Sequence, residues 1–308
     1  MPRRTLLLSF DLEDCDQLLA RRFGNPAWDR PWEGFERQFE RVLDLLDSLR
    51  AKATFFVLGM TARNYPDRIR ELASRGHDIA AHGFGHTPVH SQSPEDFRRD
   101  VERSLDLIAS LTGRRPLGYR APAFSLARDT PWAFEVLADL GLRYDSSLYD
   151  SPRHRRRLAG IPAAPCRIEL PSGRELWELP VAVARWGPLR LPVGGGSYWR
   201  VLPPGLLQAC LDRGAASEWL PLYFHPYECD DRPLNLPLAP RPTVAQRALA
   251  ATYWLRAKPG WGTLPERLGL LARNFDLATY ASAVDRLSHD EPGDGSRPRA
   301  LSAGGVIV

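Results

Sequence analysis

Short apolar runs of strand character alternate along this chain with stretches of helical spacing, and that alternation restricts it to parallel β/α architecture. Thr5–Asp11 opens the pattern as a strand. Phe35, Phe39, Val42, Leu46 and Leu49 then recur at helical intervals. Ala53–Leu58 is a second, buried strand, and a helix after Pro66 should stop at Gly76 before a third strand, Asp78–His82. Ser93-Pro94-Glu95-Asp96 combines a capping serine, a proline at the first helical position and acids in the first turn. The helix it starts has Phe97, Val101, Leu105, Ile108 and Leu111 on one face. Leu117–Arg120, Leu142–Ser146, Leu176–Pro180 and Leu220–His225 raise the count to about seven strands. The expected fold class is therefore α/β, a distorted (β/α) barrel of about seven parallel strands. No Pro/Ser linker divides it. One domain is expected over residues 1–290, with an irregular insertion over 149–202 that shapes the site and a disordered tail over 291–308.

The 308 residues are 44% hydrophobic and 25% charged, a balance that supports a sizeable core. With 41 basic against 37 acidic residues spread along the chain, the net charge of +4 makes no case for nucleic acid. Arg153, Arg155, Arg156 and Arg157, beside His154, are read as a solvated loop. Cys15, Cys166, Cys210 and Cys229 lie far apart without metal-type spacing, which favours a reducing compartment. Leu6-Leu7-Leu8 is too short for a signal-peptide core, and no run is long enough to span a membrane. A cytoplasmic protein without a transmembrane segment is expected.

In β/α barrels the reactive side chains project from the C-terminal ends of the strands. The first strand ends Ser9-Phe10-Asp11-Leu12-Glu13-Asp14, with three carboxylates within four positions. The third ends His82-Gly83-Phe84-Gly85-His86, and two imidazoles at that interval converge on one metal if the turn is helical. His90 repeats the interval, but Pro88 breaks the register, so it is read as a bystander. Two imidazoles and a carboxylate leave positions on a divalent ion for water and a substrate oxygen. A second carboxylate beside it is placed to act as a general base. Gly118-Tyr119-Arg120-Ala121-Pro122-Ala123-Phe124 and Leu222-Tyr223-Phe224-His225-Pro226-Tyr227-Glu228 end two further strands, the latter carrying a histidine where a general acid is needed.

These strand ends, in this order over residues 5–280, resemble the polysaccharide deacetylases of NodB homology, carbohydrate esterase family 4. Phe-Asp-x-Glu-Asp at the first strand and Phe-His-Pro near the last resemble most the branch associated with exopolysaccharide loci. The resemblance implies a metal-dependent hydrolase that removes N-acetyl groups from an amino-sugar glycan or glycan precursor and releases acetate. The alternatives are an amidase acting on another non-peptide C–N bond on the same scaffold, such as that of a cyclic ureide, and a catalytically inactive carbohydrate-binding relative. It implies a divalent ion, with zinc suited to the donor set, and an N-acetylated carbohydrate as the substrate. It gives Asp11 the role of catalytic base, held by Arg120, and His82 and His86 the role of metal ligands. His225 takes the role of general acid, oriented by Asp145. Pro122, Ala123 and Phe124 line the substrate, with the backbone N–H of Ala123 as an oxyanion donor.

The chain departs from the family in having Leu12 after Asp11 where most members have a second aspartate, so the metal carboxylate is Glu13 or Asp14. Strand alternation favours Glu13, whereas a turn after Leu12 favours Asp14, towards which the choice leans. Ala123 stands where the family's aromatic residue is usual. Gly194-Gly195-Gly196-Ser197-Tyr198-Trp199 also resembles that branch, as a sugar-stacking segment or a turn leading to core aromatics. Trp28, Trp32, Trp177 and Trp186 divide between the same two roles.

Overall fold

A computed structural model describes residues 3–127, 129–150, 160–187, 189–214, 217–233, 235–289 and 299–300. Its strands are β1 (Thr5–Leu7), β2 (Ser9–Leu12), β3 (Thr54–Val57), β4 (Asp78–Ala81), β5 (Gly118–Tyr119), β6 (Tyr144–Asp145), β7 (Cys166–Glu169), β8 (Glu175–Glu178), β9 (Ala184–Trp186), β10 (Leu189–Leu191), β11 (Trp219–Pro221), β12 (Asp276–Ala278) and β13 (Arg299–Ala300). The strands β2, β3, β4, β5, β6 and β8 pair in that order, all parallel. β1 pairs in parallel with β11 and β12.

The two sheets share the opening strand, which changes partners at Leu8. Leu8 N–H bonds Ala278 C=O at 3.1 Å, while Leu8 C=O accepts from Thr54 N–H at 2.9 Å. Beyond β11 the chain stays alongside it, because Phe224 N–H reaches Ser9 C=O at 3.0 Å and Asp11 N–H reaches Phe224 C=O at 2.9 Å. On the other side Ala182 N–H bonds Pro221 C=O at 2.9 Å, joining the extension of β8 to β11. Backbone hydrogen bonds therefore run round the ring of seven strands expected from the sequence.

β1, β2 and β3 are buried on both faces, as a parallel sheet covered by helices requires. Alternation sets the two sides of β2. Phe10 stacks on Phe55 at 5.6 Å and packs against Phe224 at 5.8 Å, while Ser9 and Asp11 turn to Arg120 on the opposite face. The amphipathic helices Glu33–Leu49 and Pro94–Thr112 bury Phe35, Phe39, Val42 and Leu46, and Phe97, Val101, Leu105 and Ile108, in the same core. As expected, Ser93 caps the second through Asp96 N–H; Gly113 ends it in the left-handed region.

The segment expected to be an irregular insertion is more regular than that. Within it β7 and β8 pair antiparallel, as do β9 and β10, and Gly173 and Gly187 in the intervening turns have φ of 78° and 56°. The arginine cluster at 153–157 lies outside the described residues. So does the tail expected to be disordered, apart from β13, which pairs with β7. Among the described residues no helix is long and apolar enough to cross a membrane.

Candidate active site

The site is assembled where β2, β4, β5 and the extension of β11 end. Glu13 follows β2 and His82 follows β4. Glu13 Oε1 lies 2.8 Å from His82 Nε2 and 3.0 Å from His86 Nε2. His82 Nδ1 faces the Arg120 carbonyl at 2.8 Å, so a proton there fixes the tautomer that leaves the Nε2 lone pair free for a metal ion. Burial pushes the Glu13 carboxyl up, but the charges and hydrogen bonds of His86 and His82 outweigh it and hold it well below the ordinary carboxylate range.

The imidazoles do not converge through a helical turn. Residues 82–86 form a bend, with Gly83 at φ 70° and His86 itself in the left-handed region at φ 54°. Asp100 accepts from Phe84 N–H at 2.8 Å and Gly85 N–H at 3.3 Å, which fixes that bend. A strained ligand backbone held by its surroundings is a mark of functional sites. His90 Nδ1 lies 3.1 Å from the Ser125 carbonyl, outside this cluster.

Two imidazole nitrogens and one carboxylate oxygen, mutually within 4.8 Å, make a donor set that suits a divalent ion. Asp14 does not join it. It caps the helix Cys15–Arg22, accepting from Gln17 N–H at 3.0 Å, Trp32 N–H at 3.1 Å and the Tyr65 hydroxyl at 2.6 Å. The lean towards Asp14 is thus corrected. β2 does end at Leu12, with Glu13 N–H folding back on Asp11 C=O at 3.0 Å, yet it is Glu13 that reaches the imidazoles while Asp14 is taken up by helix capping.

Asp11 accepts from Arg120 Nη1 at 2.6 Å. The same guanidinium donates to Ser9 Oγ at 2.9 Å, Ser146 C=O at 3.1 Å, Ser146 Oγ at 2.9 Å and the Tyr280 hydroxyl at 3.0 Å. Every direction of the fork is occupied, so the carboxylate is held in one orientation. Pro122 and Phe124 are buried and Ala123 is exposed between them. Ala123 and Phe124 sit at φ 53° and 50°, a second strained backbone at the rim. Phe124 packs with Tyr149 and Tyr223.

His225 is where the sequence and the structure part. Among the described contacts, none joins it to Asp145. The Asp145 carboxylate accepts from Ser147 N–H at 2.9 Å and Ser147 Oγ at 2.7 Å. Burial and the Asp145 charge push the nearby Glu178 carboxyl well above its ordinary range. His225 pairs instead with Glu228, whose Oε2 lies 3.5 Å from Nδ1 and accepts the His225 backbone N–H at 3.0 Å. Burial disfavours the imidazolium, but the Glu228 hydrogen bond and the charges of Glu13, Glu228 and Asp11 overcome this and raise its pKa to about 9. The sequence held a signal for Glu228. His-Pro-Tyr-Glu has the first-to-fourth spacing of a capping box with proline at the first helical position, and the Glu228 side chain does reach back to the His225 backbone N–H at the start of the short helix Pro226–Cys229.

Trp199 is fully buried and donates to Val193 C=O at 2.8 Å, so the core role holds for it.

Residues 4–144 match the family model described as polysaccharide deacetylase, and residues 146–279 match a domain of unknown function (DUF3473). A peptidoglycan deacetylase-like protein, FGM2, from Gibberella zeae is 32% identical over 110 residues, 35% of this chain and 32% of that protein. The peptidoglycan-N-acetylglucosamine deacetylase of Bacillus cereus is 29% identical over 96 residues, 31% of this chain and 35% of that one. The chain thus spans about a third of the length of these curated relatives. A Mycobacterium smegmatis structure assigned to the polysaccharide deacetylases superposes with a TM-score of 0.63 at 22% identity, covering 97% of this chain and 93% of that one. An allantoinase, Puue, does so at 0.58 and 15%, covering 94% and 92%. These two likenesses speak for the fold. By the match to the family model, residues 4–144 are similar to the polysaccharide deacetylases.

Proposed function

We propose that this protein is a metal-dependent hydrolase that removes N-acetyl groups from an amino-sugar glycan or glycan precursor. The observation that carries the reading is the Glu13, His82 and His86 cluster on the same rim as the buried Asp11–Arg120 pair. Curated relatives named for peptidoglycan deacetylation support the substrate class.

Held by Glu13, His82 and His86, a divalent ion, for which we propose zinc, would polarise the acetamide carbonyl and acidify the attacking water. Asp11, kept in orientation by Arg120, takes the proton of that water. The Ala123 backbone N–H donates to the oxygen that gains charge as the carbonyl carbon becomes tetrahedral. His225 then gives its proton to the sugar nitrogen as the C–N bond breaks, leaving acetate and a free amine. Pro122 and Phe124 flank the acetyl group. In a cytoplasmic setting the substrate would be a glycan precursor or sugar conjugate.

The test is acetate release from N-acetylglucosamine oligomers and from lipid- or nucleotide-linked acetylamino sugars, before and after chelation and with zinc restored. Release that chelation abolishes and zinc restores is expected. Release from none of these by zinc-loaded protein, together with hydrolysis of a cyclic ureide, would overturn the reading.

A further inference from the structure

Glu228 is built into the protein more firmly than a chance neighbour of His225 needs to be. Its Oε1 lies 3.2 Å from Arg200 Nε, and the two side chains are 2% and 3% exposed. Arg200 also donates to the Pro259 carbonyl at 3.2 Å. Two glycines make room for the pair. A Cβ on Gly196 would fall 2.2 Å from Glu228 Oε2, and one on Gly260, at φ 69°, would fall 2.1 Å from the Arg200 carbonyl oxygen. A buried ion pair of this kind costs desolvation that two apolar side chains would not, so stability alone does not account for it.

What the pair supplies is a fixed negative acceptor beside one ring nitrogen of His225. The ring is held from two further sides: Tyr227 stacks on it at 5.4 Å and 28°, and Tyr223 meets it edge-on at 5.9 Å and 79°. The other charges acting on the ring are those of Glu13 and Asp11, and it in turn acts on His86. With Nδ1 turned to Glu228, the second nitrogen is left for the substrate.

We propose that Glu228, clamped by Arg200 and accommodated by Gly196, is the positioning residue of His225, in place of Asp145. The proposal rests on reading His225 as the general acid. Gly196, Arg200, His225 and Glu228 all fall within residues 146–279, so that region of unassigned function contributes the acid arm of the site, while the region before it contributes the base and the metal ligands.

The experiment is an NMR titration of the His225 imidazole in the zinc-loaded protein, for wild type, Glu228→Gln and Asp145→Asn, paired with the pH profile of acetate release. Glu228→Gln should lower the His225 pKa by at least about one unit and move the alkaline limb of turnover equally. Asp145→Asn should leave the His225 titration in place. Should Glu228→Gln fold poorly, Glu228→Asp keeps the charge for Arg200 while drawing it back from the ring, and a smaller fall in the same direction is expected. An unmoved titration in the Glu228 variants, or a shift caused by Asp145→Asn, would overturn the proposal. The titration needs no turnover, so failure of the deacetylase reading would show separately, as wild-type protein without acetate release.

Discussion

Arg120 and Asp11 meet at 2.6 Å with side chains 0% and 4% exposed, one from the end of β5 and the other from β2. Arg120 also lies 3.9 Å from the centre of the Phe56 ring, so its charge is enclosed by aromatic as well as polar neighbours. In that enclosure each charge depends on the other. Arg120→Met should cost about 3–5 kcal/mol, because it strands a buried carboxylate. Adding Asp11→Asn should recover much of the loss. Urea denaturation of the single and double variants measures both, and a double variant no more stable than the single would contradict the coupling.

Glu13 and Asp14 are adjacent but should respond differently. Glu13→Ala removes a donor from the cluster, and bound metal should fall far below one equivalent. Asp14→Ala removes a helix cap and the acceptor of Tyr65 and Trp32, so metal should stay while stability drops by about 1–2 kcal/mol. Elemental analysis with thermal unfolding separates the two, and the reverse pattern would reinstate Asp14 as the ligand.

The folded pKa of His225, about 9, stands above the ordinary value of 6.5. A raised folded pKa stabilises the protein fully below the unfolded value, and the contribution is lost as pH rises through the folded one. Relative to His225→Gln, wild-type stability should therefore decline between pH 6.5 and about 9. Turnover should lose its acid over the upper end of that window. Denaturation at a series of pH values checks this. A parallel pair of stability curves across the window would show that His225 is not held as an imidazolium.

Gly196→Ala places a methyl group against Glu228 Oε2, where the contact would be 2.2 Å. A loss of about 1–3 kcal/mol is expected from this overpacking. At Gly205, in the helix Pro204–Ala209, an added Cβ would meet nothing within 4 Å. Gly205→Ala should be neutral or stabilising by up to about 1 kcal/mol, a helix-propensity gain. Thermal melts compare the two, and equal shifts would mean that the Glu228 cradle is more yielding than it looks.

The residues legible in the sequence are those whose placement follows from periodicity. Strand ends locate Asp11, His82, Arg120 and His225, and alternation puts Glu13 on the face of Asp11. The choice between Glu13 and Asp14 depends on how the chain leaves β2 after Leu12, which spacing alone does not decide. The capping role that occupies Asp14 is itself a local signal, an aspartate just before a helix. His86 reaches the cluster through a glycine-punctuated bend with a left-handed backbone, a geometry that the interval between the histidines conceals. Family resemblance points to Asp145 as the partner of His225, but which acid faces that ring is a tertiary matter, decided by how β6 packs against β8 and Ser147. Glu228 is within local reach, three residues beyond His225, and its capping-box spacing is the signal that the resemblance overshadows.

On the proposed mechanism, acetate release depends on an ion held by Glu13, His82 and His86. Metal content and acetate release, measured on the same preparations of wild type and His82→Ala, decide it. About one equivalent of metal with acetate release in the wild type, both lost in the variant, is the predicted result. Wild-type turnover that persists without metal, or a variant that keeps both, would contradict it.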